Sequence, residues 1–138
     1  MKPAVQQAVG QLVEGLPDAN VTAEDDPDGG AYVLVEDIDL GPAFAPRRSW
    51  IAFQITWTYP EADVYPHFID AKVKYVGEGP TPNQHPDGNL PTSMTRAGTA
   101  PGFEKPAIQV SRRSNRRNPK TDSALAKLLR VLEFLRSR

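Results

Sequence analysis

Four arginines in six positions, Arg112, Arg113, Arg116 and Arg117, are the densest group of chemistry-bearing side chains in this 138-residue chain. A guanidinium presents paired N–H donors in a fixed plane, so such a cluster suits a phosphate or a carboxylate tail gripped by bidentate contacts. The plainer reading is a solvated loop whose arginines favour solubility. Ser111 and Asn115 lie in the same stretch, and the only histidines are His67 and His85. There is no cysteine, which excludes disulfides, thiolate metal sites and cysteine nucleophiles. Two histidines argue against a histidine-rich metal site, and neither metal nor cofactor is expected. The formal net charge is −1, so any electrostatic function must be local. The absence of aromatics among the arginines argues against nucleic acid as a partner.

The elements that must position this loop are legible on both sides of it. Residues 107–110 read as a short strand. After Pro119 comes a helix, with Thr121 or Asp122 as its cap and Leu125, Leu128, Leu129, Leu132 and Leu135 on one stripe. Arg136 and Arg138 suit the negative end of its dipole. At the other terminus, residues 3–16 place Val5, Ala8, Val9, Leu12, Val13 and Leu16 on one helical face, closed by Pro17.

Between the helices, residues 20–24 form a short strand, and the run from Asp25 to Gly30 signals a turn, read as a solvated hairpin tip. Residues 32–40 alternate as a strand with Tyr32, Leu34, Ile38 and Leu40 on one face and Val33 and Val35 on the other. Residues 49–59 form the clearest strand, with Ile51, Phe53, Ile55, Trp57 and Tyr59 on one side. A further strand spans 70–76, with Ala71, Val73 and Tyr75 together. Residues 77–106 are rich in proline and glycine and read as one long irregular loop, a length that is often functional. His67 is expected to be a packed or surface side chain. The sum is a single α+β domain over residues 1–138: a helix, a four-stranded antiparallel meander, the irregular loop, a short strand and a closing helix. No apolar run approaches the roughly 18 residues of a membrane span, and the N-terminus lacks a signal-peptide layout. A soluble cytoplasmic protein is expected.

That order and three local signals resemble the ubiquitin-conjugating enzyme family, most closely its divergent bacterial branch. Pro60 followed by Tyr65-Pro66 is similar to the family's tyrosine-proline motif after its third strand. His85-Pro86-Asp87 resembles the His-Pro-Asn before the active site, with Asp87 in place of asparagine. Asn118-Pro119 before a leucine-striped helix is similar to the segment that follows the catalytic cysteine. The chain ends after its second helix, without the family's last two.

The resemblance implies a UBC-like fold and protein partners: a ubiquitin-like protein, its adenylating activating enzyme and a deconjugating peptidase. It also exposes a departure, because the family carries its modifier on a cysteine. The family's spacing counted back from Pro119 puts that position near Gln109, with Ser111 two residues on. Counted forward from His85, it falls near Ser93. An oxyester on Ser111 would need a base, for which His85 is the nearby histidine, with Asp87 beside it and Asn115 or backbone N–H groups for the oxyanion. The alternatives are a non-catalytic adaptor that binds the modifier or its activating enzyme, or a chain whose natural cysteine has been exchanged. Arg112, Arg113, Arg116 and Arg117, as a grip that suits an adenylated or acidic partner, are the expected partner contacts.

Overall fold

Pro3 starts the first helix where a missing N–H costs nothing, and the computed structural model, which describes residues 1–138, follows the chain from there. The elements are α1 (Pro3–Gly15), β1 (Asn20–Asp25), β2 (Ala31–Asp39), β3 (Phe44–Ala45), β4 (Arg48–Ile55), β5 (His67–Asp70), β6 (Lys74–Tyr75), β7 (Met94–Thr99), β8 (Pro106–Val110) and α2 (Ala124–Arg136). The architecture is α+β. Six strands form one antiparallel sheet in the order β1-β2-β4-β5-β8-β7, and β3 and β6 form a separate two-stranded ribbon. Val5, Ala8 and Leu12 of α1 and Leu128, Val131, Leu132 and Leu135 of α2 are buried in one core with Ile51, Phe53 and Ile55 of β4.

The meander β1-β2-β4-β5 is the one read from alternation, with three corrections. The strand placed at residues 70–76 lies at His67–Asp70 instead. Asp70 Oδ1 accepts from Lys72 N at 2.9 Å and the Asp70 carbonyl from Val73 N at 3.1 Å, so the side chain turns the chain where the apolar alternation suggested it ran on. The strand placed at 49–59 stops at Ile55, because Tyr59 N bonds the Thr56 carbonyl at 3.0 Å. Trp57 therefore faces solvent while Tyr59 is buried.

The third correction concerns β2. Its register against β4 shifts between Val35 and Ile38, where Asp37 sits at φ 62° and is held by Arg48 Nε at 2.6 Å. A bulge adds one residue and reverses the alternation. Val33 and Val35 thereby join Ile38 and Leu40 in the helix-side core, and Leu34 faces the opposite side.

The region 77–106, read as wholly irregular, contains the edge strand β7. Its sequence Met94-Thr-Arg-Ala-Gly-Thr buries only Met94 fully, so it lacks the apolar alternation of a central strand. The β7–β8 connection then folds over the outer face of the sheet, where Leu34, Ala52, Phe68, Ala100 and Ala107 form a second, smaller core beside Trp50 and Phe103. Gly102 (φ +79°) lies against Tyr32, and a Cβ there would stand 2.6 Å from Tyr32 Cβ, an atom that no rotamer change can move away. Gly102→Ala should therefore cost about 1–3 kcal/mol of stability in urea unfolding. A change under about 0.5 kcal/mol would show that the outer core does not depend on this contact.

The acidic turn also differs from its reading. Asp26 is buried, and its two oxygens accept from Asp28 N at 2.9 Å and Gln54 Nε2 at 2.7 Å, so one carboxylate of the run shapes the turn from inside. The cap of α2 is Ser123, whose Oγ accepts from Ala126 N at 3.0 Å. Of the leucine stripe, Leu129 is 48 % exposed, which rotates the buried face toward Ala124, Lys127 and Val131. Arg138 does reach the last turn, donating to the Phe134 carbonyl at 3.1 Å. No helix is long and apolar enough to cross a membrane.

Candidate functional site

The loop between β8 and α2 carries the arginines, and a carboxylate from elsewhere in the chain pins it. Asp63, in the connection between β4 and β5, accepts from Ser114 N at 2.8 Å and from Ser114 Oγ at 3.0 Å. Lys127, one turn into α2, donates to Asp63 at 2.9 and 3.2 Å and to Ser114 Oγ at 2.8 Å. Those three acceptors use all three protons of the ammonium. The Lys127 side chain is 3 % exposed and that of Asp63 21 %. Burial pushes the Asp63 carboxyl up, but Ser114 and Lys127 more than offset it and hold it below the usual range. Burial pulls Lys127 down from its ordinary value, partly countered by Asp63. Ser114 gives its proton to Asp63 and takes one from Lys127, so it is a structural link and not a freed nucleophile.

Arg117 ties the far end of the loop down. Its guanidinium donates to the Pro60 and Glu61 carbonyls, and Nη1 lies 3.8 Å from Asp63. Asp122 accepts from Asn118 N at 2.7 Å and closes the turn into α2. Beneath the cluster, His67 of β5 is fully buried with its ring 4.8 Å from that of Phe53, and neither ring nitrogen has a hydrogen-bond partner in the protein. Burial, with Lys127 nearby, pushes its pKa down to about 3, so the ring is neutral.

Above these anchors, the loop and α2 enclose a cleft of about 310 Å³ lined by Arg112, Arg113, Arg116, Lys127 and Arg130, with Asp122 and Asn115 at its edge. Arg112 lies over Phe134 at 4.3 Å and Arg113 over Tyr65 at 4.4 Å. A larger groove, about 680 Å³, runs between α1 and the Pro119–Ser123 turn, but its lining mixes signs (Glu14, Lys120, Asp122) and brings no reactive set together.

The residues nominated from sequence divide into separate places. Ser111 and Ser93 are brought together: Ser111 N donates to the Ser93 carbonyl at 2.7 Å, extending the β7–β8 ladder. Gln109 Nε2 donates to Ser111 Oγ at 2.9 Å. His85 and Asp87 share a turn on the other side of β7. There His85 Nδ1 accepts from Asp87 N at 3.1 Å, and the Asp87 carbonyl is held by Lys74 at 2.7 Å and Arg96 at 3.0 Å. No hydrogen bond joins His85 to either serine. The titratable neighbour of Ser111 is Tyr65, whose phenol Ser111 and then Arg113 hold below its ordinary value. Asn115 is exposed at the rim of the arginine cleft.

Sequence reading missed Asp63, Ser114 and Lys127, and it took Tyr65 only as part of a motif, not as the neighbour of Ser111. The available signal was Lys127 itself, a charged residue inside the buried face that Ala124, Leu128, Val131 and Leu135 define. A lysine placed there needs an acid from elsewhere in the fold. No group of three or more histidine or acidic side chains is arranged to hold a metal ion. No family model matches the chain, and neither the curated proteins nor the solved structures contain a significant match.

Proposed function

We propose that this chain is a ubiquitin-conjugating-type domain that positions a ubiquitin-like modifier, received from its adenylating enzyme, for attachment to target lysines, and that it does so by binding and not as a covalent carrier. The observation that supports this reading is the arginine loop at the head of α2, anchored by Asp63, Lys127 and Arg117 and presenting a cationic face. The element order and the motifs around Pro66, Pro86 and Pro119 support the family assignment. The adaptor form is preferred because the chain has no cysteine and no histidine bonds to Ser111 or Ser93. The covalent reading rests on one different observation, the Tyr65 phenol beside Ser111.

The test mixes the protein with a ubiquitin-like protein, its adenylating enzyme and ATP, and reads intact mass and co-elution. Stable co-elution without an adduct supports positioning. A hydroxylamine-labile adduct that Ser111→Ala abolishes would replace it with the oxyester reading. Neither adduct nor co-elution would overturn both.

A further inference from the structure

The cleft between the arginine loop and α2 has more positive charge than its own carboxylates answer. Five cations line it, against the single carboxylate of Asp122. Lys127 is answered by Asp63 from below, and Arg130 Nη1 lies 3.5 Å from Asp122. Arg112, Arg113 and Arg116 meet no carboxylate. Arg112 and Arg113 lie over the rings of Phe134 and Tyr65, at 4.3 and 4.4 Å, contacts that leave their positive charge unneutralised. The excess is local, because the whole chain carries a net charge of −1.

Three like charges held together without counterions repel one another, and a bound anion relieves that cost. The loop is already ordered by the Asp63 and Arg117 contacts beneath it, so little freedom is lost when a ligand enters. We propose that this cleft is a binding site for a phosphate or diphosphate group, free or carried on a small molecule. The charge decides between phosphate and a lone carboxylate: a carboxylate answers one of the three free guanidiniums, whereas a phosphate monoester carries about −1.5 to −2 and a diphosphate more. The size decides against a nucleic-acid strand, since the cations line one open cleft of about 310 Å³ and do not form a stripe. The inference does not depend on the conjugation reading, and its probes are small anions with no partner protein present.

The experiment is calorimetric titration of the whole protein with inorganic pyrophosphate and, separately, with ADP and adenosine, at about 50 and 200 mM salt. Pyrophosphate should bind with Kd below about 1 mM at the lower salt and weaken at the higher. ADP binding more tightly than pyrophosphate would identify a nucleotide as the ligand; equal affinity would identify the phosphate groups as all that is read. The double variant Arg112→Gln/Arg116→Gln should weaken pyrophosphate at least about tenfold. Its melting temperature without ligand should stay within about 3 °C of the parent, since neither side chain anchors the fold. A Lys72→Gln/Lys105→Gln control, which removes two charges elsewhere, should change little. The proposal is overturned if pyrophosphate gives no binding at about 5 mM, if the control weakens it as much as the arginine pair, or if adenosine binds as well as ADP.

Discussion

Asp63→Ala should lower the unfolding free energy by about 3 kcal/mol and the melting temperature by roughly 10 °C. The reason lies in what remains. Lys127 is 2 % exposed and would lose its only carboxylate, while Ser114 would lose the acceptor of both its N–H and its hydroxyl. Removing one member of a buried pair strands the other, and costs of about 3–5 kcal/mol are typical. The lower figure applies because the Asp63 side chain is 21 % exposed and water can reach part of the site. Lys127→Met should cost less. It fills the same space without a charge, and Asp63 keeps Ser114 and faces Arg117 at 3.8 Å. The double variant should then be more stable than Asp63→Ala alone, by about 1 kcal/mol or more, because it no longer buries an unpaired ammonium. Urea unfolding of the four proteins at pH 7 measures the cycle. Additive losses would mean that Asp63 and Lys127 stabilise the fold separately and that the loop is not held by their pair.

The same residues show why the loop was easier to find than its anchors. Arg112 to Arg117 are neighbours in sequence, so their density is visible without a fold. Asp63 stands 51 positions before Ser114 and 64 before Lys127, and only the pairing of β5 with β8 brings them together. The helices were legible because α1 and α2 bury most of the stripes their periodicity shows, although Val13 and Leu129, read on those stripes, are exposed; β4 was legible because Ile51, Phe53 and Ile55 alternate without interruption. Leu34 was assigned to the wrong face because the parity of β2 changes at Asp37, a change that an Arg48 contact from the next strand stabilises. The edge strand β7 was not legible at all, since half-exposed polar residues in a proline- and glycine-rich run carry no alternation. His85 and Ser111 looked like partners only through family spacing. In the folded chain His85 belongs to a turn bonded to Lys74 and Arg96, and Ser111 continues the opposite edge of β7.

His67 makes the second large effect, and it appears as a pH dependence. The ring is fully buried, its neighbours include Lys127 and Asp63, and its folded-state pKa lies at about 3. In the unfolded chain a histidine titrates near 6.5. Between those values the unfolded state takes up a proton that the folded state refuses, so stability falls as the pH is lowered, by about 1.4 kcal/mol per pH unit. From pH 7.5 to 4.5 the loss should total about 2–3 kcal/mol. The depressed carboxylates, Asp39, Asp63 and Asp122, also lose stability in acid, but mainly below their ordinary value of 3.8, so they touch only the acid edge of this window. His67→Leu separates the two contributions. It removes two ring nitrogens that have no partner in the core and keeps an apolar side chain against Phe53. The variant should match or exceed the parent at pH 7.5, and it should lose less than about 1 kcal/mol between pH 7.5 and 4.5. Urea midpoints at four or five pH values in that range give the comparison. Parallel pH profiles for parent and variant would mean that the folded-state pKa of His67 is not depressed, and that the Asp63 carboxylate offsets its burial.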